Sequence, residues 1–369
     1  MYIDRIFLKD FRNFKQIQFY PHEKFNIIYG RNAQGKTNIL ESIYILANLK
    51  SFRGSSNDEL IRHEQNICYI NSSIFSNGVN REIKLEINKK GKNVKIDNKK
   101  PHSAIEFFGY LRPVLFAPEE VSLLKGYPAG RRSLLDRAVF QASPVFINII
   151  MDYNRFLKQR NKLLKEKKYQ TENDPWTDGL VTTGTRVRLE RKKYIVRILP
   201  LFKEIFSKIT NGAETADIIY PLPPDSENVL KNQFYLELEK MAERELAFGQ
   251  TLVGPHRDDP IFLINGKSVR QYGSQGQQKS FILAFKTAQI LDLEKILGEP
   301  PILLLDDMTG ELDMFRQKFF FDFLNNSKGQ VFITTTDIQP LLKAGIKDGR
   351  FLRVHLGEIQ KIAFNEETL

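Results

Sequence analysis

The chain has 369 residues, of which 41% are hydrophobic and 27% are charged, and its formal net charge at pH 7 is +11. This composition is typical of a globular protein with two or three domains, and it excludes a small disulfide-stapled scaffold. No apolar run reaches the roughly 18 residues that a membrane-spanning helix needs, so we expect no membrane segment and no signal peptide. The single cysteine, Cys68, has no partner for a disulfide within the chain. We expect it in the core of a cytoplasmic protein.

The first part of the chain, up to about residue 96, contains short apolar stretches that are typical of strands. Asn77-Gly78 and Lys90-Gly91 are dipeptides that favour turns between such strands. We therefore expect a curled antiparallel sheet that includes residues 25–29. One helix, from residue 37 to about residue 49, interrupts this sheet.

The middle of the chain has apolar side chains at helical spacing. This pattern predicts a helical lobe over 120–250, with helices over 144–168, 186–209 and 229–248. The proline-containing stretches 173–179 and 221–224 predict breaks, because proline lacks a backbone donor. No helix is expected to exceed about 25 residues, the upper part of the usual range.

Beyond Gly254 the pattern returns to alternating strands and helices. Residues 302–305 and 331–335 are continuous apolar or β-branched runs without alternation. Such runs are typical of central parallel strands that are covered on both faces. The sequence contains no internal repeat and no low-complexity tract.

Residues 30–37 match the pattern G-x-x-x-x-G-K-[ST] at every fixed position. A strand-like run precedes them and a helix-like run follows, which is the setting in which backbone N–H groups cradle phosphates. We expect Lys36 to reach the β- and γ-phosphates of ATP, and the Thr37 hydroxyl to bind Mg²⁺. The alternative is an ordinary glycine turn before a helix. The expected nucleotide-binding residues are Gly30, Arg31, Asn32, Ala33, Gln34, Gly35, Lys36, Thr37 and Asn38.

Two carboxylates, Asp306 and Asp307, directly follow the apolar run 302–305. The carboxyl end of a buried parallel strand is where ligands gather in α/β sheets, so we expect Asp306 to be the second protein ligand of Mg²⁺. Asp307 is expected to polarise the attacking water. Its alternative role is to cap a following helix, where aspartate is favoured.

Residues 274–277, with the sequence Ser-Gln-Gly-Gln, open a helix predicted over 277–297 and resemble the signature motif of ABC-type ATPases. In that family, ATP lies between the P-loop of one subunit and the signature of another, so the resemblance implies an ATP-dependent homodimer. Residues 309–313 resemble the D-loop of the same family, although Gly310 replaces the usual serine. The residues implied to act across the dimer are Ser274, Gln275, Gly276, Gln277 and Asp313.

Within this superfamily the chain is most similar to the RecF family of recombination mediators. The resemblance rests on the signature segment, the Asp306-Asp307 pair and the segments 11–14, 32–38, 116–119, 130–132 and 254–259. It implies an α/β fold, a P-loop ABC-type ATPase head with a mixed sheet (lobe I) and an inserted, mainly helical lobe II. Lobe I would comprise 1–119 and 251–369, and lobe II would comprise 120–250.

The resemblance also implies a function in DNA repair, replication and the SOS response. ATP hydrolysis, slow and stimulated by DNA, would control dimerisation on duplex DNA at gap junctions. The implied partners are RecR, RecO and RecA, with ATP and Mg²⁺ as cofactors and no membrane. The alternatives are a nucleotide-binding subunit of a transporter, disfavoured by Thr336 where transporters have a histidine, and an SMC-like structural clamp without turnover.

Positive charge is concentrated in the predicted helical lobe. Residues 155–197 contain thirteen Lys and Arg against five Asp and Glu, and residues 89–100 contain six against one. Such clusters favour sequence-independent contact with the phosphates of duplex DNA, although a solvated face has the same composition. The expected DNA contacts are Lys158, Arg160, Lys162, Arg188, Arg191 and Lys192.

Two further segments keep alternative interpretations. By resemblance, Arg12 contacts the adenine or the phosphates, and its alternative is a solvated turn residue. His256-Arg257-Asp258 resembles a kinase catalytic loop, but the asparagine required five positions later is replaced by Leu263. A buried structural ion pair is the alternative for that segment.

Overall fold

The computed structural model describes residues 1–167, 174–223, 226–307 and 312–361. The chain divides into two compact units, which are Met1–Glu119 with Phe285–Leu369 and Glu120–Ala284. The boundary predicted at residue 120 agrees with the observed one. The boundary predicted at residue 250 is wrong, because a strand after residue 250 pairs with a strand before it.

The first unit begins with an antiparallel sheet in the order β2-β1-β4-β5-β6. The Asn77-Gly78 turn forms as predicted, with φ angles of +50° and +77° that suit these two residue types. Cys68 is fully buried in this sheet, as expected, and burial raises the pKa of its thiol to about 12. The strands are β1 (Tyr2–Phe11), β2 (Phe14–Phe19), β4 (Ile67–Ser76), β5 (Val79–Asn88) and β6 (Gly91–Ile96).

The first unit also contains a mixed sheet in the order β14-β13-β3-β12-β11-β7. Its parallel strands are β3 (Phe25–Tyr29), β7 (Pro113–Phe116), β11 (Ile302–Asp306), β12 (Val331–Thr335) and β13 (Gly349–His355), and β14 (Glu358–Lys361) is antiparallel. β11 and β12 are buried along their whole length, as their unbroken apolar runs predict. The prediction that residues 25–29 belong to the first sheet is wrong, since β3 pairs with β12 and β13.

The described helices of the first unit are few and mostly short. The longest two have 13 residues, and α1 packs against β12, β11 and β7. Their bounds are α1 (Lys36–Asn48), α2 (Asn57–Leu60), α3 (Ala104–Phe108), α11 (Met314–Asn326) and α12 (Gln339–Lys343).

The second unit is mainly helical, as predicted, with a small sheet of β8 (Ala216–Ile219), β9 (Ile261–Ile264) and β10 (Lys267–Ser268). The expected limit of about 25 residues per helix is wrong, because α7 runs over 35 residues. Asp174 caps α7 and Pro175 takes its first position, where proline is tolerated, so the predicted break becomes a helix start. The helices of this unit and its borders are α4 (Pro118–Lys125), α5 (Pro128–Ala142), α6 (Val145–Lys165), α7 (Pro175–Ile209), α8 (Glu227–Phe248), α9 (Val269–Tyr272) and α10 (Gln275–Leu297).

Candidate functional site

The loop between β3 and α1 has the tight geometry that its glycines predict. Gly30 and Gly35 have φ angles of +149° and +112°, and a Cβ on Gly30 would lie 2.4 Å from the Val354 carbonyl oxygen. Asn13 holds the loop from outside, since its amide donates to the Gln34 carbonyl at 2.8 Å. The loop is therefore the curled backbone of a P-loop, and the glycine-turn alternative does not describe it.

The Lys36 side chain lies inside this loop and is only 7% exposed. Its Nζ donates to the carbonyl oxygens of Gly30 at 2.7 Å and Arg31 at 2.9 Å. Burial lowers the pKa of Lys36, while the nearby charges of Asp307 and Asp306 oppose this shift. The ammonium group is thus held where a phosphate oxygen could replace the two carbonyls.

Thr37 and Asp306 meet although they are far apart in the sequence. Thr37 Oγ1 donates to Asp306 Oδ1 at 2.9 Å, and Thr334 Oγ1 donates to the same oxygen at 2.7 Å. Burial raises the pKa of Asp306, and these two hydroxyl donors partly offset the shift. A hydroxyl beside a carboxylate is a donor set that suits Mg²⁺, so the residues fit the expected ion.

Asp307 lies next to this pair and is exposed to solvent. Its φ of +47° is left-handed, whereas a helix N-cap has extended backbone. Its backbone N–H donates to Thr334 Oγ1 at 3.0 Å. The next described helix, α11, is capped by Asp313 instead. The capping alternative for Asp307 is therefore wrong.

A cavity of about 410 Å³ opens over these groups. Sequence reasoning missed Arg53 and Thr334, which line it together with Asn32, Lys36, Thr37 and Asp307. Arg53 follows α1 in a loop without a recognisable motif, and its guanidinium donates to Asn38 Oδ1 at 3.3 Å. Only the fold brings these two residues to the P-loop.

Arg12 is neither a solvated turn residue nor a residue that lines this cavity. Its guanidinium donates to both carboxylate oxygens of Glu41 at 2.8 and 2.9 Å, and Glu41 is fully buried in α1. Arg12 also donates to Ser55 Oγ, and Ser51 donates to Glu41. This pair ties the segment that carries Arg53 to the P-loop helix.

The signature segment lies at the start of α10, in the second unit. Ser274 Oγ accepts from the Gln277 N–H at 3.1 Å, and Gln277 Oε1 accepts from the Ser274 N–H at 2.9 Å. This arrangement is a reciprocal helix cap. Ser274 and Gln275 are exposed to solvent, and Gly276 is half-buried. Of the expected D-loop, Asp313 caps α11, whereas residues 309–311 lie outside the described part of the chain.

The structure corrects three of the six expected DNA contacts. Arg160 is 1% exposed and pairs with Glu245 at 2.7 Å. Arg191 is 3% exposed and donates to both oxygens of Asp136 at 2.7 and 2.8 Å. A buried guanidinium that is saturated by a carboxylate cannot reach a DNA phosphate.

The third corrected residue, Arg188, belongs to an ion-pair cluster around residues 254–259. It donates to both oxygens of Asp258 at 3.0 and 3.1 Å, and Arg131 donates to both oxygens of Asp259 at 2.7 Å. The structural interpretation of this segment is thus confirmed. Burial lowers the pKa of the neighbouring His256 to about 4.

Lys158, Lys162 and Lys192 remain accessible. Lys158 and Lys162 are exposed on α6, one helical turn apart, and Arg155 continues the same stripe in the other direction. Lys192 is half-buried on α7. Lys162 lies 3.9 Å from Glu166 in an exposed ion pair, which is weak enough for a phosphate to compete with it.

Among the described residues, no helix has the length and apolarity to cross a membrane. No three His, Cys, Asp or Glu side chains among those residues are placed to hold a metal ion together.

Comparison with known proteins gives a consistent result. The family "RecF/RecN/SMC N terminal domain" matches residues 2–355. The DNA replication and repair protein RecF of Syntrophotalea carbinolica is 47% identical over 97% of this chain and 99% of its own length. RecF of Geotalea uraniireducens is 42% identical over 97% of this chain and its whole length.

A solved structure agrees with these sequence relatives. The recombination mediator protein RecF with ATP in the RecFOR pathway superposes with a TM-score of 0.88 and 32% identity, over 98% of this chain and 99% of that one. The predicted α/β fold, an ATPase head with a mixed sheet and a helical insertion, is thus confirmed. The chain belongs to the RecF family of DNA replication and repair proteins.

Proposed function

We propose that this chain binds ATP with Mg²⁺ in the cavity over the P-loop and hydrolyses it. The observation that carries the proposal is the contact of Thr37 and Asp306 at 2.9 Å beside the buried Lys36. Lys36 would exchange its carbonyl partners for the β- and γ-phosphates. Thr37 and Asp306 would hold the metal, which neutralises phosphate charge when bound.

Asp307 is the residue that we assign to the attacking water. It is exposed on the cavity wall, and its carboxylate is free of any helix-capping role. It would orient the water whose oxygen attacks the γ-phosphorus while the bond to the ADP oxygen breaks. Arg53 on the same wall would offset charge on the phosphates. The solved structure of RecF with ATP, which is 32% identical to this chain, supports ATP as the nucleotide.

We further propose that ATP is shared between two copies of the chain. The exposed Ser274 and Gln275 and the half-buried Gly276 at the start of α10 offer a hydroxyl and backbone N–H groups to an anion. In the proposed dimer they would contact the nucleotide on the P-loop of the other copy, with Gln277 holding Ser274 in place and Asp313 beside the interface. Hydrolysis would then reopen the dimer.

Duplex DNA is the proposed partner of the exposed basic stripe Arg155, Lys158 and Lys162 on α6, with Lys192 on α7. The stripe has the one-turn spacing that lets successive side chains reach a phosphate backbone. Relatives named DNA replication and repair protein RecF support this assignment. We also propose that the chain acts at the junctions of single-stranded gaps in DNA, with RecR, RecO and RecA as partners. This agrees with the RecFOR pathway named for the solved relative.

The experiment that tests the enzymatic proposal measures ATP binding and turnover with and without duplex DNA. Lys36→Ala should abolish nucleotide binding. Asp307→Asn should keep binding but lose turnover by about a hundredfold or more, because a general base contributes roughly 10²–10⁴-fold. Asp322→Asn, on an exposed face of α11, is the matched control and should behave like the parent chain. Full turnover in Asp307→Asn would contradict the assigned role.

A further inference from the structure

A second cavity of about 430 Å³ lies beside the P-loop in the first unit. It is lined by Tyr29, Gly30, Arg31, Thr336, Arg353, Val354 and His355. These residues carry two guanidinium groups, one imidazole and two hydroxyls, and none of the described residues that line the cavity carries a carboxylate. None of these side chains has a part in the ATP chemistry proposed above.

The sheet register explains why these residues converge. Tyr29 pairs with Thr335 on one side and with Arg353 on the other, so β3 and β12 end at the level of Arg353, and β13 continues for two residues. Arg31, Thr336 and His355 lie one or two residues beyond this level, at the same edge of the sheet. The carboxyl edge of parallel strands is where α/β sheets bind ligands.

The P-loop backbone separates this cavity from the ATP cavity. The carbonyl oxygens of Gly30 and Arg31 accept from Lys36 Nζ, and both residues also line the second cavity. The two cavities therefore share a wall, and Lys36 lines only the first.

The two arginines differ from those of the helical unit. Arg188 and Arg191 are each held by a carboxylate on two oxygens. Within the described residues, neither Arg31 nor Arg353 has a carboxylate within 4.0 Å. Both are exposed at the cavity mouth, with all their donors available to an anion. Burial raises the pKa of Tyr29, so its hydroxyl stays protonated and can donate.

We propose that this cavity is a second anion site that binds a phosphate group, distinct from the triphosphate on the P-loop. The guanidinium groups of Arg31 and Arg353 donate hydrogen bonds to the phosphate oxygens, and the hydroxyls of Tyr29 and Thr336 donate to the remaining oxygens. Planar guanidinium groups recognise phosphate by paired hydrogen bonds, which lysines do not provide. The group is either inorganic phosphate or a phosphate of a DNA backbone.

The test uses the full chain with a non-hydrolysable ATP analogue saturating the P-loop, so that added phosphate can bind only elsewhere. Inorganic phosphate is titrated and followed by ³¹P line broadening. A 30-base-pair duplex is titrated separately by fluorescence anisotropy at several salt concentrations. The variants are Arg353→Gln and Arg31→Gln. Arg350→Gln is the matched control, because it removes the same charge from β13 at a position outside the cavity.

We expect Arg353→Gln to weaken one of the two probes by about tenfold, the effect of losing one charge-assisted contact. A loss confined to inorganic phosphate identifies a site for the free ion. A loss of duplex affinity, with a salt slope smaller by about one, identifies a backbone phosphate. If both cavity variants bind both probes as Arg350→Gln does, the proposal is wrong. Binding of the analogue is measured in the same samples, so failure of the ATP site is recognised separately.

Discussion

Replacing Arg160 with alanine should destabilise the helical unit while leaving the DNA affinity of the folded protein unchanged. Arg160 lies on α6 between the exposed Lys158 and Lys162, but its side chain points into the unit. It pairs with Glu245 at 2.7 Å and donates to Thr251 Oγ1 at 2.8 Å. Its function is therefore to join α6 to α8 and to the segment that follows α8.

The magnitude follows from the burial of the pair. Arg160 is 1% exposed and Glu245 is 0% exposed, so Arg160→Ala leaves a carboxylate without its counter-charge in a dry interior. Removing one partner of a buried ion pair costs about 3–5 kcal/mol of the free energy of unfolding. The double variant Arg160→Met with Glu245→Leu should recover most of this loss, since no charge then stays buried.

The assay is urea unfolding followed by tryptophan fluorescence. The chain has one tryptophan, Trp176, which lies near the start of α7 and therefore reports on the helical unit. Lys158→Ala is the matched control on α6 and should change the free energy of unfolding by less than about 0.5 kcal/mol. The reasoning is refuted if Arg160→Ala unfolds like the parent chain and binds duplex DNA more weakly.

Three other outcomes are expected. Because burial lowers the pKa of His256 to about 4, against about 6.5 in the unfolded chain, its contribution to stability is complete above pH 6.5 and is lost as pH falls toward 4. The loss reaches about 3 kcal/mol below pH 4, and about 2 kcal/mol of it falls between pH 7 and pH 5, so the difference in urea unfolding between these two pH values should be smaller in His256→Asn than in the parent chain. Gly30→Ala should abolish nucleotide binding in an equilibrium titration, because its Cβ would lie 2.4 Å from the Val354 carbonyl oxygen; normal binding would contradict the close approach. Lys158→Gln and Lys162→Gln should each reduce the salt slope of duplex binding by about one, from about −4 if Arg155, Lys158, Lys162 and Lys192 each contact one phosphate, and an affinity that does not depend on salt would contradict the assigned surface.

Much of the ATP site could be predicted because its determinants are local. The P-loop is one continuous segment, and β11 can be predicted from an unbroken apolar run that Asp306 directly follows. Thr334 and Arg53 could not be predicted, since only the parallel pairing of β11 with β12 and the tie between Arg12 and Glu41 bring them to the cavity.

The wrong predictions have one physical origin. A residue's partners in ion pairs and in strand pairing lie far away along the chain, and the local sequence pattern does not reveal them. Arg191 and Arg188 were predicted to be surface residues. Their carboxylate partners, Asp136 and Asp258, lie 55 and 70 residues away along the chain. Residues 25–29 form a strand as expected, yet the choice of sheet depends on β12 and β13 near the other end of the chain. In the same way, a proline such as Pro175 is compatible with the end of one helix or the start of another. Here it lies at the start, because the Asp174 side chain caps α7.

The central claim is that one ATP joins two copies of this chain, and complementation in a mixture tests it most directly. Lys36→Ala removes the P-loop half of each site, and Ser274→Arg removes the signature half; each variant alone should neither dimerise nor turn over ATP. Ser226→Arg, which also replaces a helix-capping serine of the second unit, controls for the bulk of the new side chain.

An equimolar mixture of the two variants should regain ATP-dependent dimers by light scattering and about half of the parent turnover. Since neither variant pairs with itself, every dimer that forms is mixed, and each mixed dimer contains one intact site out of two. A mixture that stays monomeric and inactive, or a Ser274→Arg chain that hydrolyses ATP alone at the parent rate, would contradict the shared site.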